Sequence, residues 1–398
     1  MAKLSIDDVD VKHKKVLVRV DFNVPLNENL EVTDDTRIRA ALPTIQKIIR
    51  SGGKAILMSH LGRPKGKVNE AMRMAPVARR LSHLLDQEVR YLTDCIGPEV
   101  ERAVNELHDG EVLLLENLRF YKEEEANDAE FAKKLAKLGD VYVNDAFGTA
   151  HRAHASTEGV TKYFTQRAAG YLMEKELRYL GDAIDHPKRP LVAVLGGAKI
   201  SGKIDVIQNL LVKVDALLIG GGMTYTVLYA KNIPIGKSLL EADRVEMAKA
   251  ILTKAETQGV KFHLPVDHLI ATELSAAAKT QITEGQAIPN DWIGVDIGPK
   301  TIEQFTHVLN DAKTVIWNGP MGVFEIEPFA AGTMAIAKVL ADITRKGATT
   351  VVGGGDSVAA LAKAGLTEQI THVSTGGGAS LEFLGGLTLP GVAALSDK

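Results

Sequence analysis

Short runs of branched aliphatic residues recur along this chain, separated by amphipathic stretches long enough to form helices. In the first part the runs are Val16–Val20, Ala55–Met58, Val112–Leu115 and Val141–Val143. In the second they are Leu191–Leu195, Ala216–Ile219, Thr314–Trp317, Thr350–Val352 and His372–Val373. Runs this short and this continuously apolar suit strands covered on both faces, which means parallel sheets with helical crossovers. Segments such as Arg37–Arg50 and Ala129–Leu138 carry the spacing those helices need. The fold class is therefore α/β. At roughly 150 residues per domain, 398 residues make two to three domains. Between the two sets of runs, Leu172, Leu177 and Leu180 form a helical pattern ended by Pro187 and Pro190. The expected division is an N-terminal lobe over 1–170, a connecting helix over 171–187 and a C-terminal lobe from 188.

Charge and composition exclude several classes. Lys plus Arg total 47 and Asp plus Glu 50, a formal charge of −3, so no global field favours nucleic acid or an anionic membrane. Any phosphate recognition must be local. The single cysteine, Cys95, allows no intrachain disulfide and no multi-cysteine zinc site. The first residues, MAKLSIDDVDVKHKK, lack the apolar stretch of a secretory signal, and no run approaches the length of a membrane span. A cytoplasmic protein is expected.

In open α/β sheets ligands bind beyond the carboxyl ends of the strands. Those ends differ between the two halves. The first half offers Asp21-Phe22-Asn23, Ser59-His60-Leu61-Gly62-Arg63, Glu116-Asn-Leu-Arg119 and the stretch from Asn144 to His154, which carries Arg152. Arginine at three strand ends, with Arg37 opening the next helical stretch, suits a pocket for a small, multiply charged anion, because guanidinium forks match phosphate and carboxylate oxygens. His60 and His151 adjoin this set. His151 and His154, spaced i, i+3, also admit a zinc reading, but no third ligand lies nearby in sequence.

The second half offers glycine in place of charge. Gly197 to Lys203 fits G-x-x-x-x-G-K but continues with Ile204 where a Walker loop needs Ser or Thr for Mg²⁺, a near miss that can still cradle phosphate through backbone N–H groups and Lys199 and Lys203. Gly353-Gly354-Gly355-Asp356-Ser357 lets phosphate approach the backbone, with Asp356 either a hard oxygen for phosphate-bound Mg²⁺ or a helix N-cap. No G-x-G-x-x-G or G-x-S-x-G occurs, and Cys95 has no adjacent base. His263 and His268 flank Pro265 in what reads as a strand followed by a helix start, and Glu123–Glu125 reads as a solvated helix start.

Nine ordered motifs span nearly the whole chain: Val16-Leu-Val-Arg-Val-Asp-Phe-Asn-Val-Pro25, His60-Leu-Gly-Arg-Pro64, Glu116-Asn-Leu-Arg-Phe120, Asp145-Ala-Phe-Gly-Thr-Ala-His-Arg-Ala-His154, Gly196-Gly-Ala-Lys199, Trp317-Asn-Gly-Pro320, Gly322-Val-Phe-Glu325, Gly353-Gly-Gly-Asp356 and Ser374-Thr-Gly-Gly-Gly-Ala379. Together they resemble the phosphoglycerate kinase family. The resemblance implies two Rossmann-like three-layer lobes, with the C-terminal lobe over 188–386 and the tail 387–398 returning to the N lobe. It implies reversible transfer of the acyl phosphate of 1,3-bisphosphoglycerate to ADP, by a monomer with Mg²⁺ as cofactor. By matching position, 3-phosphoglycerate falls to Asp21, Phe22, Asn23, Arg37, His60, Leu61, Gly62, Arg63, Arg119 and Arg152. The nucleotide falls to Lys199, Lys203, Gly294, Asn318, Glu325, Gly354, Gly355, Asp356 and Ser357, with Asp356 the metal ligand. Arg37, Lys203 and Lys199 are the implied catalytic residues. Gly202 stands where some members carry an acid, and Ser357 where Thr is frequent. Two other readings stay open: a two-lobed anion-binding protein without catalysis, and a kinase for another acyl phosphate.

Overall fold

The computed structural model describes residues 3–398 and divides into two compact units, one of residues 1–177 with 388–398 and one of residues 178–387. In the first unit six strands, β1 Lys15–Val20, β2 Lys54–Met58, β3 Val89–Tyr91, β4 Val112–Leu114, β5 Val141–Asp145 and β6 Arg167–Ala169, form one parallel sheet in the order β3-β4-β2-β1-β5-β6. Val16 pairs with Ala55 on one side and Val141 on the other. Val16, Val18 and Val20 share a core with Ile38, Ile45 and Ile48 of the helix Thr36–Arg50 and with Val77 and Leu81 of the helix Ala75–Leu85. Leu17 and Arg19, on the opposite face, are buried too, which is why the strand shows no polar alternation.

The last eleven residues belong to this unit. Ser396 N donates to Arg167 O at 2.9 Å, Leu4 N to Ser396 O at 2.8 Å and Gly391 N to Ala150 O at 2.8 Å.

In the second unit β7 Leu191–Leu195, β8 Ala216–Ile219, β9 Lys261–His263, β13 Thr314–Asn318, β14 Thr349–Gly353 and β15 His372–Val373 form a second parallel sheet, ordered β15-β14-β13-β7-β8-β9. Val192, Val194, Val315 and Trp317 pack with Phe305 and Leu309 of the helix Pro299–Asp311 and with Ile336 and Leu340 of the helix Ala331–Arg345. Beside it, β10 His268–Ala271, β11 Thr280–Ile282 and β12 Ile293–Ile297 form a small antiparallel sheet ordered β11-β10-β12. Among the described residues no helix is long and apolar enough to cross a membrane.

Two local expectations need correction. His268 opens a strand, not a helix, because β10 finds antiparallel partners in β11 and β12 that lie later in the chain. Glu124 is not solvated: the turn Lys122–Glu125 points it inward, fully buried, onto Ser156. The helix expected from the leucine spacing is present at Tyr171–Asp185; its buried positions are Met173, Glu176, Leu180, Ala183 and Ile184, while Leu172 and Leu177 are half-buried.

That helix begins on a buried carboxylate. Asp145 Oδ1 accepts from Leu172 N at 2.8 Å and Met173 N at 3.2 Å, and Thr44 Oγ1 accepts from Tyr171 N at 2.8 Å. Burial pushes the Asp145 carboxyl up to about 6 against the pull of hydrogen bonds from Thr44, Met173 and Leu172. For an acid raised in the folded state, the stability it contributes is complete below its unfolded value near 4 and is lost as pH rises through about 6. Asp145→Asn stays neutral and keeps an oxygen for the two N–H groups. Between pH 5 and 8 this variant is expected to gain on the parent protein by on the order of 2 kcal/mol, read from thermal unfolding. Parallel pH dependences would refute the assignment.

Candidate functional site

Parallel pairing brings Asp21 (after β1), His60 (after β2), Arg119 (after β4) and Asp145 (end of β5) to one edge of the first sheet. Arg37, second residue of the helix Thr36–Arg50, reaches back to that edge, its Nη1 donating to Asp21 Oδ2 at 3.0 Å. Asn23 Oδ1 accepts from Gly62 N at 2.9 Å, and Arg119 Nη1 donates to Gly62 O at 3.1 Å. The Gly62 backbone has φ +63°, and a Cβ there would overlap the Met72 sulfur. Only glycine serves this turn.

Two residues not assigned from the sequence hold these loops. Asn117 Oδ1 accepts from Leu61 N at 3.2 Å and Arg119 N at 3.1 Å, while its Nδ2 donates to Leu61 O at 2.7 Å and Met72 O at 2.9 Å. Glu116 accepts from Met74 N, Asn117 N, Arg73 Nη1 and the Tyr91 hydroxyl. Both lie inside the Glu116–Phe120 motif, so the signal was present there. Arg63 and Arg152 are exposed, and Arg152 Nε donates to His151 Nε2 at 3.2 Å.

The charges of these side chains act on one another. Burial, followed by the charges of Arg19, Arg119 and Arg37, holds the His60 imidazole well below its ordinary value. His154 is lowered to about 4 by burial and by Arg119, Arg19 and Arg152. Arg119 is lowered by burial, with Arg19 and Arg152 adding to the effect and Glu125, 3.4 Å from its Nε, opposing it. Such a cluster is costly without an anion to balance it. Among the described residues no three His, Cys, Asp or Glu side chains gather as a metal site.

In the second unit the turn after β7 carries Lys199, exposed, and Lys203, buried at the end of a short 3₁₀ segment. Glu241, from a distant loop and unforeseen in the sequence, accepts from Ile200 N at 2.6 Å, Ser201 N at 3.2 Å and Ser201 Oγ at 2.5 Å. Lys203 Nζ donates to Asn318 Oδ1 at the end of β13. That fixes the amide orientation and leaves Asn318 Nδ2 as a buried donor with no partner among the described residues. Gly354, at φ +88°, packs against the Asn318 side chain, and Ser357 Oγ accepts from Gly319 N at 2.6 Å. A Cβ at Gly202 would meet nothing within 4 Å, so the position accepts a side chain.

Gly355 and Asp356 lie exposed in the first turn of the helix Gly355–Lys363, and the N-cap is Gly354. The Asp356 charge is felt at Lys203. One exposed carboxylate beside a lysine fits a Mg²⁺ ion that keeps its waters and phosphate oxygens, not a metal caged by protein. Gly294 sits apart on β12, its N–H donating to Ser238 Oγ at 2.9 Å, and a Cβ there would overlap the Tyr225 hydroxyl. The loop bearing the exposed Glu325 joins this strand through Val323 N to Val295 O at 2.9 Å.

Comparison with known proteins is consistent across the chain's length. The family model described as phosphoglycerate kinase matches residues 6–387. The phosphoglycerate kinases of Chlorobium chlorochromatii and Chloroherpeton thalassium are 59% and 61% identical over 397 residues, each covering 100% of both chains. Among solved structures, phosphoglycerate kinase from Coxiella burnetii superposes with a TM-score of 0.90 at 42% identity over 98% of both chains. The enzyme from Pyrococcus horikoshii OT3 gives 0.85 at 36%, with the same coverage.

Burial brings the Lys203 ammonium down to about 8, against the opposing Asp356 charge. Titration of ¹³C-labelled lysine by NMR is expected to show one resonance with a midpoint near that pH, absent in Lys203→Arg and moved upward by a bound polyphosphate. A Lys203 resonance titrating with the bulk lysines would contradict it.

Proposed function

The chain belongs to the phosphoglycerate kinase family, and on that premise we propose that it transfers the acyl phosphate of 1,3-bisphosphoglycerate to ADP, reversibly, giving 3-phosphoglycerate and ATP. The triose binds at the strand ends of the first unit and the Mg-nucleotide at those of the second. The observation that carries this reading is the segregation of chemistry: Arg37, His60 and Arg119 at one sheet edge, and the glycine turns with Lys203 and Asn318 at the other.

The carboxylate of 3-phosphoglycerate is already ionised, so the forward and reverse steps need no general base. Phosphoryl transfer is served by alignment and charge neutralisation. Arg63, Arg119 and Arg152 neutralise the triose, His60 donates a hydrogen bond to one of its oxygens, Asp21 and Asn23 orient it, and Phe22, Leu61 and Gly62 shape the turn walls. Arg37, tethered by Asp21, supplies a guanidinium to the transferring group. Lys203 and the free Asn318 Nδ2 donate to nucleotide phosphate oxygens, Lys199 adds charge at the mouth of the turn, and Gly354–Ser357 admits phosphate to the backbone. Mg²⁺ held by Asp356 would neutralise charge on the nucleotide phosphates. Glu325 faces the ribose, and Gly294 belongs to the nucleotide side.

A coupled assay with 3-phosphoglycerate and Mg-ATP tests the proposal directly. No turnover would favour the anion-binding reading, and faster turnover of acetyl or carbamoyl phosphate would favour another acyl-phosphate kinase. Lys203→Ala is expected to lower kcat by ~10²-fold, the scale of one preorganised oxyanion donor. Arg37→Ala is expected to lower kcat together with kcat/KM, as loss of a transition-state contact does. A raised KM with intact kcat would make Arg37 a binding residue only.

Direct transfer requires the two bound ligands to meet in line, so the lobes must close when both are present. A ligand shifts such an equilibrium only by its differential affinity for the two states. One ligand alone should contract the molecule weakly, and the pair strongly. Small-angle scattering measures this as a fall in radius of gyration. Equal contraction with 3-phosphoglycerate alone would overturn the two-ligand requirement.

A further inference from the structure

Behind the anion edge of the first unit lies a buried polar chain that the proposed chemistry does not use. Arg19, 1% exposed in the middle of the sheet, donates from Nε to Ser156 Oγ at 2.8 Å, from Nη1 to Val20 O, and from Nη2 to His60 Nδ1 at 3.1 Å. Ser156 Oγ donates in turn to Glu124 Oε1 at 2.6 Å, while Ser156 N donates to Glu124 Oε2 at 3.0 Å. Glu124 and Ser156 are fully buried. Every link in this chain has one direction. A guanidinium has only donors, so Nδ1 of His60 must be an acceptor and the ring proton must sit on Nε2.

We propose that Arg19 is a positioning residue that holds His60 as its neutral Nε2–H tautomer, so that the ring presents a donor to an anionic oxygen of the triose. This rests on the placement of His60 in the triose site. With the opposite tautomer the ring would aim a lone pair at a carboxylate or phosphate oxygen and repel it. Glu124 keeps Arg19 in register through Ser156, because a charge buried this deeply needs an opposite charge nearby. Burial and the charges of Arg19, Arg119 and Arg37 also disfavour the imidazolium.

The test is a long-range ¹H–¹⁵N correlation spectrum of the ligand-free protein with ¹⁵N-labelled histidine at pH 7, His60 being identified by its loss in His60→Gln. The expected result is a protonated Nε2 and an unprotonated Nδ1. In Arg19→Met the ring should become a tautomer mixture, and Arg19→Lys, which restores one donor, should recover Nε2–H. An Nδ1–H ring in the parent protein, or an unchanged Nε2–H ring in Arg19→Met, would overturn the proposal. Should Arg19→Met fail to fold because Glu124 loses its cation, Arg19→Met with Glu124→Gln takes its place, and the parent spectrum decides the tautomer by itself.

In turnover, His60→Gln, whose amide nitrogen can stand near Nε2, should keep kcat/KM for 3-phosphoglycerate ~10-fold or more above that of His60→Asn, whose amide reaches only the Nδ1 position. The spectrum needs no ligand. Absence of turnover would therefore remove the functional reading and leave the tautomer standing, whereas a wrong tautomer with full turnover would remove only Arg19's role.

Discussion

A strand can follow its parallel neighbour only after the chain has crossed back over the sheet, so all carboxyl ends in such a sheet point the same way. Each of the two parallel sheets obeys this constraint, and the candidate sites follow from it. Asp21, His60 and Arg119 are separated by up to 98 residues in sequence yet emerge from the adjacent strands β1, β2 and β4. Lys203 and Asn318 meet because β7 and β13 are paired neighbours. The strands themselves are held by burial on both faces. The chemistry is left to the loops, where backbone N–H groups and side chains are free to face a ligand.

Those loops are not left to fluctuate. Asn117 ties the His60–Gly62 turn to the Arg119 turn, Glu116 anchors both to Met74 and Arg73, and Glu241 pins the Ile200–Ser201 backbone. Each of these supports uses acceptors to satisfy N–H groups that would otherwise compete for the ligand. The basic groups are treated in the opposite way. Burial lowers His60, His154 and Lys203, and among the described residues Lys203 has one partner amide and no ion pair.

What could be read in advance divides along the same line. The apolar runs, their α/β class and the polar strand ends were legible because burial on both faces and ligand binding at strand ends leave local marks. Glu124 was misread because its neighbours Glu123 and Glu125 are charged, and nothing local tells an inward-pointing acid from a solvated one. Its partner, Ser156, lies 32 residues on. β10 was misread because its partners come later in the chain, and a four-residue run beside Pro265 has no distinctive period. Glu241 carried no signal at all, being one acid in a loop 40 residues beyond the turn it supports.

The sequence by itself determined which chemistry is available: arginines, histidine and asparagine in the first half, glycine turns and two lysines in the second, and a single cysteine with no adjacent base. It did so because strand ends and turns impose local residue requirements. Only the tertiary structure decided which of those groups act together and in what state. The orientation of Asn318, the tautomer of His60 and the depressed basicity of Lys203 each arise from a neighbour on another strand and from exclusion of water. Neither of these is written in the residues nearby.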